Sequence, residues 1–202
     1  LEDTNGEALG HTLWSYIGSE KNRHLEGMSW FDVAADRGTS VAEMMCDVLL
    51  EENLECGLAV LPPLSMSVWR QIESDVMRLL EREDYMVGSD SIPLGSSPHP
   101  RAFGTYPRIL GRLSRRTGTP LEQLIQRMTS NPARRFGLTG RGEIMAGNFA
   151  DVVVFDEARI NDQSSFEDPR ASSAGIHHVL VNGELALENE QLTGAIAGEA
   201  IP

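Results

Sequence analysis

Asp90 is the first residue of this chain whose type and place could do chemistry. It follows the short apolar run Tyr85-Met86-Val87-Gly88, and parallel α/β folds gather their sites at the carboxyl ends of strands. A carboxylate there can take a proton from a metal-bound water and return it to a leaving amine. It can equally cap the loop that follows, and position alone does not choose between the two. Eleven residues on, in His99-Pro100-Arg101, Arg101 presents a planar fork of donors that suits a carboxylate or a surface ion pair. The other histidines offer no metal-site spacing. His177 and His178 are adjacent, so on a strand they face opposite sides, and His11 and His24 stand alone. Neither a Gly-x-Ser-x-Gly nucleophile elbow nor a phosphate-cradling G-x-G-x-x-G occurs. Cys46 and Cys56 make no disulfide framework and no zinc knuckle, and read as reduced thiols of a cytoplasmic protein.

Around these residues the pattern is strand, helix, strand, helix, strand. Leu13–Ile17 reads as a short strand. Ser29 can cap a helix through Ala35 and Ser40 a second one, on which Val41, Met44, Met45, Val48 and Leu49 recur at helical spacing. Cys56–Leu61 fits a buried strand. A helix over Ser67–Glu81 carries Val68, Ile72, Val76 and Leu79 or Leu80 on one face, and residues 85–88 read as a third buried strand. Residues 91–101 form a Pro- and Gly-rich loop, and helices are expected near 104–117 and 120–130. Apolar strands alternating with helices predict a parallel sheet covered on both faces. After Asn131 the texture changes. Ile144, Asp151–Phe155 and His178–Glu184 read as short strands of a small β unit, with Asn182-Gly183 the strongest hairpin signal.

The whole chain, 202 residues and 41% hydrophobic, is long and apolar enough for one large or two small domains with a real core. A net charge of −13 argues against nucleic acid and anionic membranes as partners, because phosphate binding needs a basic face. No apolar run approaches the ~20 residues of a spanning helix, and Leu1-Glu2-Asp3-Thr4 lacks the basic and apolar regions of a signal peptide.

The stretches Met128–Leu138 and Arg141–Asp156, continued by Val179–Gly183, resemble the C-terminal signature of the amidohydrolase superfamily. Within it, Val87-Gly88-Ser89-Asp90 and His99–Arg108 resemble the N-acyl-D-amino-acid deacylases, or D-aminoacylases, and Asn22–Gly27 fits them too. The resemblance implies an α/β fold in two parts. Residues 1–130 would be the C-terminal portion of a metal-dependent (β/α)8 TIM barrel, and residues 131–202 a small β-sandwich. It implies hydrolysis of the linear amide bond of an N-acyl-D-amino acid, a small-molecule substrate. Asp90 matches the general acid/base and Arg101 the arginine that holds the substrate's α-carboxylate. His99 joins it as a substrate-binding residue, and Ser19, eight residues before Gly27, matches a substrate-contacting serine.

The family's zinc is held by a His-x-His, a bridging Cys, Glu or modified Lys, and two further histidines, all upstream of the matching segment. This chain has no His-x-His, so none of its residues is assigned to metal, and a full barrel takes ~250 residues. Two other readings compete. One is a non-catalytic folded fragment or subunit of a split or truncated amidohydrolase. The other is a cyclic-amide hydrolase of the dihydroorotase kind, which shares the tail signature but is weakened by His99-Pro100-Arg101. An incomplete parallel sheet would leave an unpaired edge, so a homo-oligomer or association with a missing N-terminal half is expected. A tight zinc site takes about three or four ligands. The tag-free chain is therefore expected to hold well under one zinc after dialysis, and one tightly bound equivalent by metal analysis would contradict this.

Overall fold

The structure, a computed structural model, describes Leu9 and residues 11–201; the opening Leu1-Glu2-Asp3-Thr4 lies outside them. Strand β1 (Thr12–Ile17) is buried at every position but Tyr16. Both of its edges are used. On one side it pairs with β2 (Cys56–Val60), Thr12 opposite Val60 and Ile17 opposite Cys56. On the other, Trp14 donates its N–H to Met28 at 3.1 Å and accepts from Gly27 at 2.7 Å. The pairing of β1 and β2 is antiparallel, which overturns the parallel sheet expected here. The reason lies in what separates them: two helices, α1 (Trp30–Arg37) and α2 (Val41–Glu51), rather than one. A pair of helices returns the chain to the end of the strand it left, and the Gly18 N–H donating to the Glu55 carbonyl at 2.8 Å marks that shared end.

Both helices start where capping chemistry places them. The Ser29 hydroxyl accepts from the Asp32 N–H, and Ser40 and Glu43 make a reciprocal capping box. Met44 and Val48 turn inward with Trp14, Ile17, Leu25, Trp30 and Val33 to form one core, in which the rings of Trp14 and Trp30 lie 5.2 Å apart. The stripe read on α2 is thus core packing. On β2 only Ala59 is buried, and Leu58 and Val60 are each 53% exposed, so this strand is not covered on both faces as expected.

The chain divides into two units. Among the described residues, the first comprises those up to Trp69 with Asp90–Ala102 and Ser165–Arg170, and the second Arg70–Ser89, Phe103–Ser164 and those from Ala171. Helix α3 (Met66–Leu80) starts in the first and continues in the second. Its apolar stripe does not face a core. Val68, Ile72, Val76 and Leu79 are 39–48% exposed, while Glu73, Met77 and Leu80 are buried. The inversion follows from Glu73, whose carboxylate accepts from Arg112 at 3.0 Å and from Arg116, and paired carboxylates can go inside. Met77 and Leu80 then pack with Ile109, Leu110, Leu113, Leu124 and Ile160.

The helix expected near 104–117 runs as α4 (Arg101–Arg108), a π-helical turn (Ile109–Leu113) and α5 (Ser114–Thr117). Pro107 explains the irregularity: it has no N–H for the Phe103 carbonyl, which accepts the Ser173 hydroxyl at 3.3 Å instead. Helices α6 (Leu121–Met128) and α7 (Ser130–Phe136) follow. Buried Arg127 of α6 donates to the carbonyls of Leu80 at 3.1 Å and Glu81 at 3.4 Å, and its own carbonyl accepts from Val87 at 3.1 Å. Residues 85–88 are therefore an extended segment tied to a helix, with no ladder, and the strand expected there is absent. Ile144 likewise is no strand; it sits in a loop, 88% exposed. The small β unit takes the form of one antiparallel sheet in the order β3 (Val152–Phe155), β4 (Ile176–Val181), β5 (Glu184–Glu188), β6 (Gln191–Leu192). The predicted hairpin joins β4 to β5 through Asn182 and Gly183, at φ 50° and 86°. Among the described residues no helix is long and apolar enough to cross a membrane.

Gly111, inside the π-helical turn, has its Cα against the Ile160 carbonyl, and a Cβ would run into that oxygen. Gly111→Ala should therefore destabilise the protein by about 1–3 kcal/mol, whereas Gly88→Ala, with nothing near its Cβ, should cost less than ~0.5 kcal/mol. Denaturant unfolding of the two variants checks the contrast.

Candidate active site

Asp90 and Arg101 stand at the two ends of one loop and meet. The Asp90 carboxylate lies 2.9 Å from the Arg101 guanidinium, with the two side chains 85% and 43% exposed. Asp90 adopts φ 46°, a left-handed conformation that aspartate tolerates better than most residues. No strand leads into it, so it does not terminate a strand as the sequence suggested. Arg101 is instead the first residue of α4, and His99 fixes that start. The His99 ring accepts the Arg101 backbone N–H on Nδ1 at 3.0 Å, and its edge packs on Phe166, centroids 5.1 Å apart. Pro98 and Pro100 on either side are buried. His99 thereby orients the helix turn that carries Arg101.

Ser19 lies on the loop after β1 and is tied down from behind. Its hydroxyl donates to Glu52 Oε1 and its N–H to Glu52 Oε2, both at 2.8 Å. Asn22 donates to Glu52 at 2.7 Å and to Glu51 at 2.7 Å. The Ser19 oxygen, which donates its hydrogen to that carboxylate, accepts the Asn22 N–H at 3.3 Å and keeps one further acceptor position. Glu52 is 5% exposed. Burial pushes its carboxyl up, but the hydrogen bonds from Asn22 and Ser19 outweigh this and hold it below the ordinary glutamate range.

The likeness of Asn22–Gly27 to the family assigns no role to any residue in it. The structure shows that Glu26 in this stretch accepts from Ile17 at the end of β1 and from Ser96 in the loop between Asp90 and Arg101. Nothing in spacing marks it, because the partners are backbone groups nine and seventy residues away. Among the described residues no group of three or more His, Cys, Asp or Glu could hold a metal ion, so these residues do not fit a metal centre.

Residues 58–186 match the amidohydrolase family. The chain belongs to that family. It is 42% identical over 178 residues, 88% of this chain and 34% of the relative, to a D-aminoacylase from Alcaligenes xylosoxydans xylosoxydans. A solved D-aminoacylase, described for the functional role of its binuclear metal centre, shares 38% identity with TM-score 0.77, over 95% of this chain and 37% of that one. An N-acyl-D-glutamate deacylase from Bordetella bronchiseptica, complexed with zinc and a phosphonate inhibitor, shares 31% identity with TM-score 0.74, over 89% and 35%. A dihydroorotase from Archaeoglobus fulgidus matches only 68 residues, 34% of this chain. The resemblance read from Val87–Asp90 and His99–Arg108 thus holds at the level of the family. The chain spans about a third of the length of these relatives.

Glu52 gives a pH signature. With its folded-state pKa below the unfolded value near 4.5, its contribution to stability is fully present above that value. It is lost as pH falls through the lower, folded-state pKa. Thermal unfolding between about pH 5 and 3 should show a steeper loss in the wild type than in Glu52→Gln, which should also be the less stable protein at pH 7. Equal slopes would remove Glu52 as the titrating group.

Proposed function

We propose that this chain supplies the proton-transfer and carboxylate-binding part of a hydrolase acting on the linear amide bond of N-acyl-D-amino acids. The observation that carries the reading is the Asp90–Arg101 pair at the two ends of one loop, in a family member whose relatives are D-aminoacylases. An N-acyl amino acid presents a carboxylate beside the scissile amide. On this reading that carboxylate replaces Asp90 on the Arg101 fork, and Asp90 is released to act as general base toward water and then as general acid toward the leaving amine nitrogen. His99 keeps Arg101 in place, and the Ser19 oxygen accepts from a substrate N–H. Residues 1–130 belong on this reading to the barrel and residues 131–202 to the small β-sandwich, an assignment supported by the four-stranded antiparallel sheet.

The relatives' described metal has no ligand set of three among the described residues, so no step on this chain is routed through one. That same observation favours a second reading, a folded segment without catalysis of its own. A cyclic amide is a poorer fit, since the dihydroorotase likeness covers 34% of the chain.

Release of free amino acid from N-acetyl-D- and N-acetyl-L-amino acids, assayed on the protein with zinc supplied, tests the choice. The first reading expects release from the D enantiomer; none from either supports the second. In an active protein Arg101→Ala should raise KM about tenfold or more and Arg101→Lys should recover part of it, because a point charge survives but the fork does not. Asp90→Asn should lower kcat at least ~100-fold. Unchanged kinetics in both would reduce the pair to a surface salt bridge.

A further inference from the structure

We propose that Glu26 is a positioning residue: its carboxylate clasps the loop between Asp90 and Arg101 to the end of β1, and so sets where both side chains stand. The functional part of this inference rests on the deacylase reading, whereas the clasp does not.

The two carboxylate oxygens serve two segments far apart in sequence. Oε1 accepts the Ile17 N–H at 2.8 Å and Oε2 the Ser96 N–H at 2.7 Å. Glu26 is itself anchored, because the next residue, Gly27, donates to Trp14 of β1 and the preceding Leu25 is buried in the core. β1 is irregular at this point: its ladder to β2 skips Ser15, between Trp14 and Tyr16. The loop seats on that bulge. A Cβ on Gly95 would run into the Ser15 carbonyl and come within 2.9 Å of Tyr16 Cα and 3.1 Å of Glu26 Oε1, so loop and strand touch backbone to backbone. Gly95 also has φ 75°, which suits glycine alone without strain. From the other side Arg170 donates to the carbonyls of Pro93 and Gly95, each at 2.9 Å.

A carboxylate is what this geometry requires. Its partners, the Ile17 and Ser96 amides and the Ser96 hydroxyl, all donate, and an ionised glutamate offers two acceptor oxygens and no hydrogen. Burial raises the Glu26 pKa, but the Ser96 hydroxyl and the Ile17 and Ser96 amides, with Arg23 nearby, outweigh it and keep the group ionised. Glutamine would satisfy one amide and turn an N–H against the other. Asp90 lies six residues before Ser96 and Arg101 five after it, so a loosened clasp shifts both ends of the pair.

The test compares wild type, Glu26→Gln, Glu26→Ala and Glu26→Asp by hydrogen–deuterium exchange, thermal melting and turnover of an N-acetyl-D-amino acid with zinc supplied. Amides of residues 91–97 should exchange about tenfold faster in Glu26→Gln, while α2 exchange stays as in wild type and the melting temperature falls by no more than a few degrees. kcat/KM should fall about tenfold, the loss of roughly one charged hydrogen bond, with part recovered in Glu26→Asp. If Glu26→Ala fails to fold, the Gln and Asp variants decide. Unchanged loop exchange in Glu26→Gln overturns the clasp, whether or not the wild type turns over substrate. A loosened loop with unchanged kcat/KM overturns the positioning role. A loosened loop in a protein whose wild type has no turnover upholds the clasp and overturns the deacylase reading instead.

Discussion

Strand β1 is the constraint on which the first unit depends. Six residues cannot bury themselves, and this strand solves the problem by giving every side of its backbone a different partner. β2 lies on one edge, the Gly27–Met28 segment on the other, and the loop between Asp90 and Arg101 on the bulge at Ser15. Its side chains Trp14 and Ile17 are the centre of the core. The candidate site is therefore an outgrowth of the core strand: its loop touches the same backbone that the hydrophobic cluster fixes. A rigid strand beneath a glycine-rich loop is an economical way to hold two charged side chains a loop's length apart in sequence and one ion pair apart in space.

Much of the local structure was legible because its causes are local. Ser29 and Ser40 announce helix starts through their hydroxyls, the Met44–Val48 spacing marks a buried face, and Asn182-Gly183 prescribes a turn. What misled were features decided at long range. The Tyr85–Gly88 run has the apolar content of a strand, but its backbone bonds go to a helix and a turn, Val87 donating to the Arg127 carbonyl and Tyr85 to that of Arg82, and none forms a ladder. The sense of β2 depends on two helices intervening, which apolar content does not express. Of the candidate site, Asp90, His99 and Arg101 are readable from motif and lie together, whereas Glu26 and Glu52 are invisible to pattern because backbone amides and a serine hydroxyl, not periodicity, define their contacts.

Helix α3 shows how charge can override hydrophobic pattern. A helical wheel puts Val68, Ile72, Val76 and Leu79 inside, yet the helix turns Glu73 inward because Arg112 and Arg116 wait there. Removing one arginine would leave a buried carboxylate half-neutralised, a costlier defect than the exposed valines on the other face. Binary patterning reads apolar faces well and is blind to a buried ion cluster assembled from residues forty positions away.

The exposure of the Asp90–Arg101 pair has a consequence for ionic strength. A pair so open to water contributes about 0–1 kcal/mol, so parting it is cheap. If a substrate carboxylate takes Asp90's place on Arg101, one ion pair is exchanged for another of the same kind, and dissolved salt weakens both alike. The usual penalty of salt on anion binding then largely cancels at the site. What remains is the chain's overall charge of −13, which repels an approaching anion and is screened beyond ~8 Å at physiological ionic strength. Encounter with an acidic small molecule is thus helped, not hindered, by the salt of its surroundings.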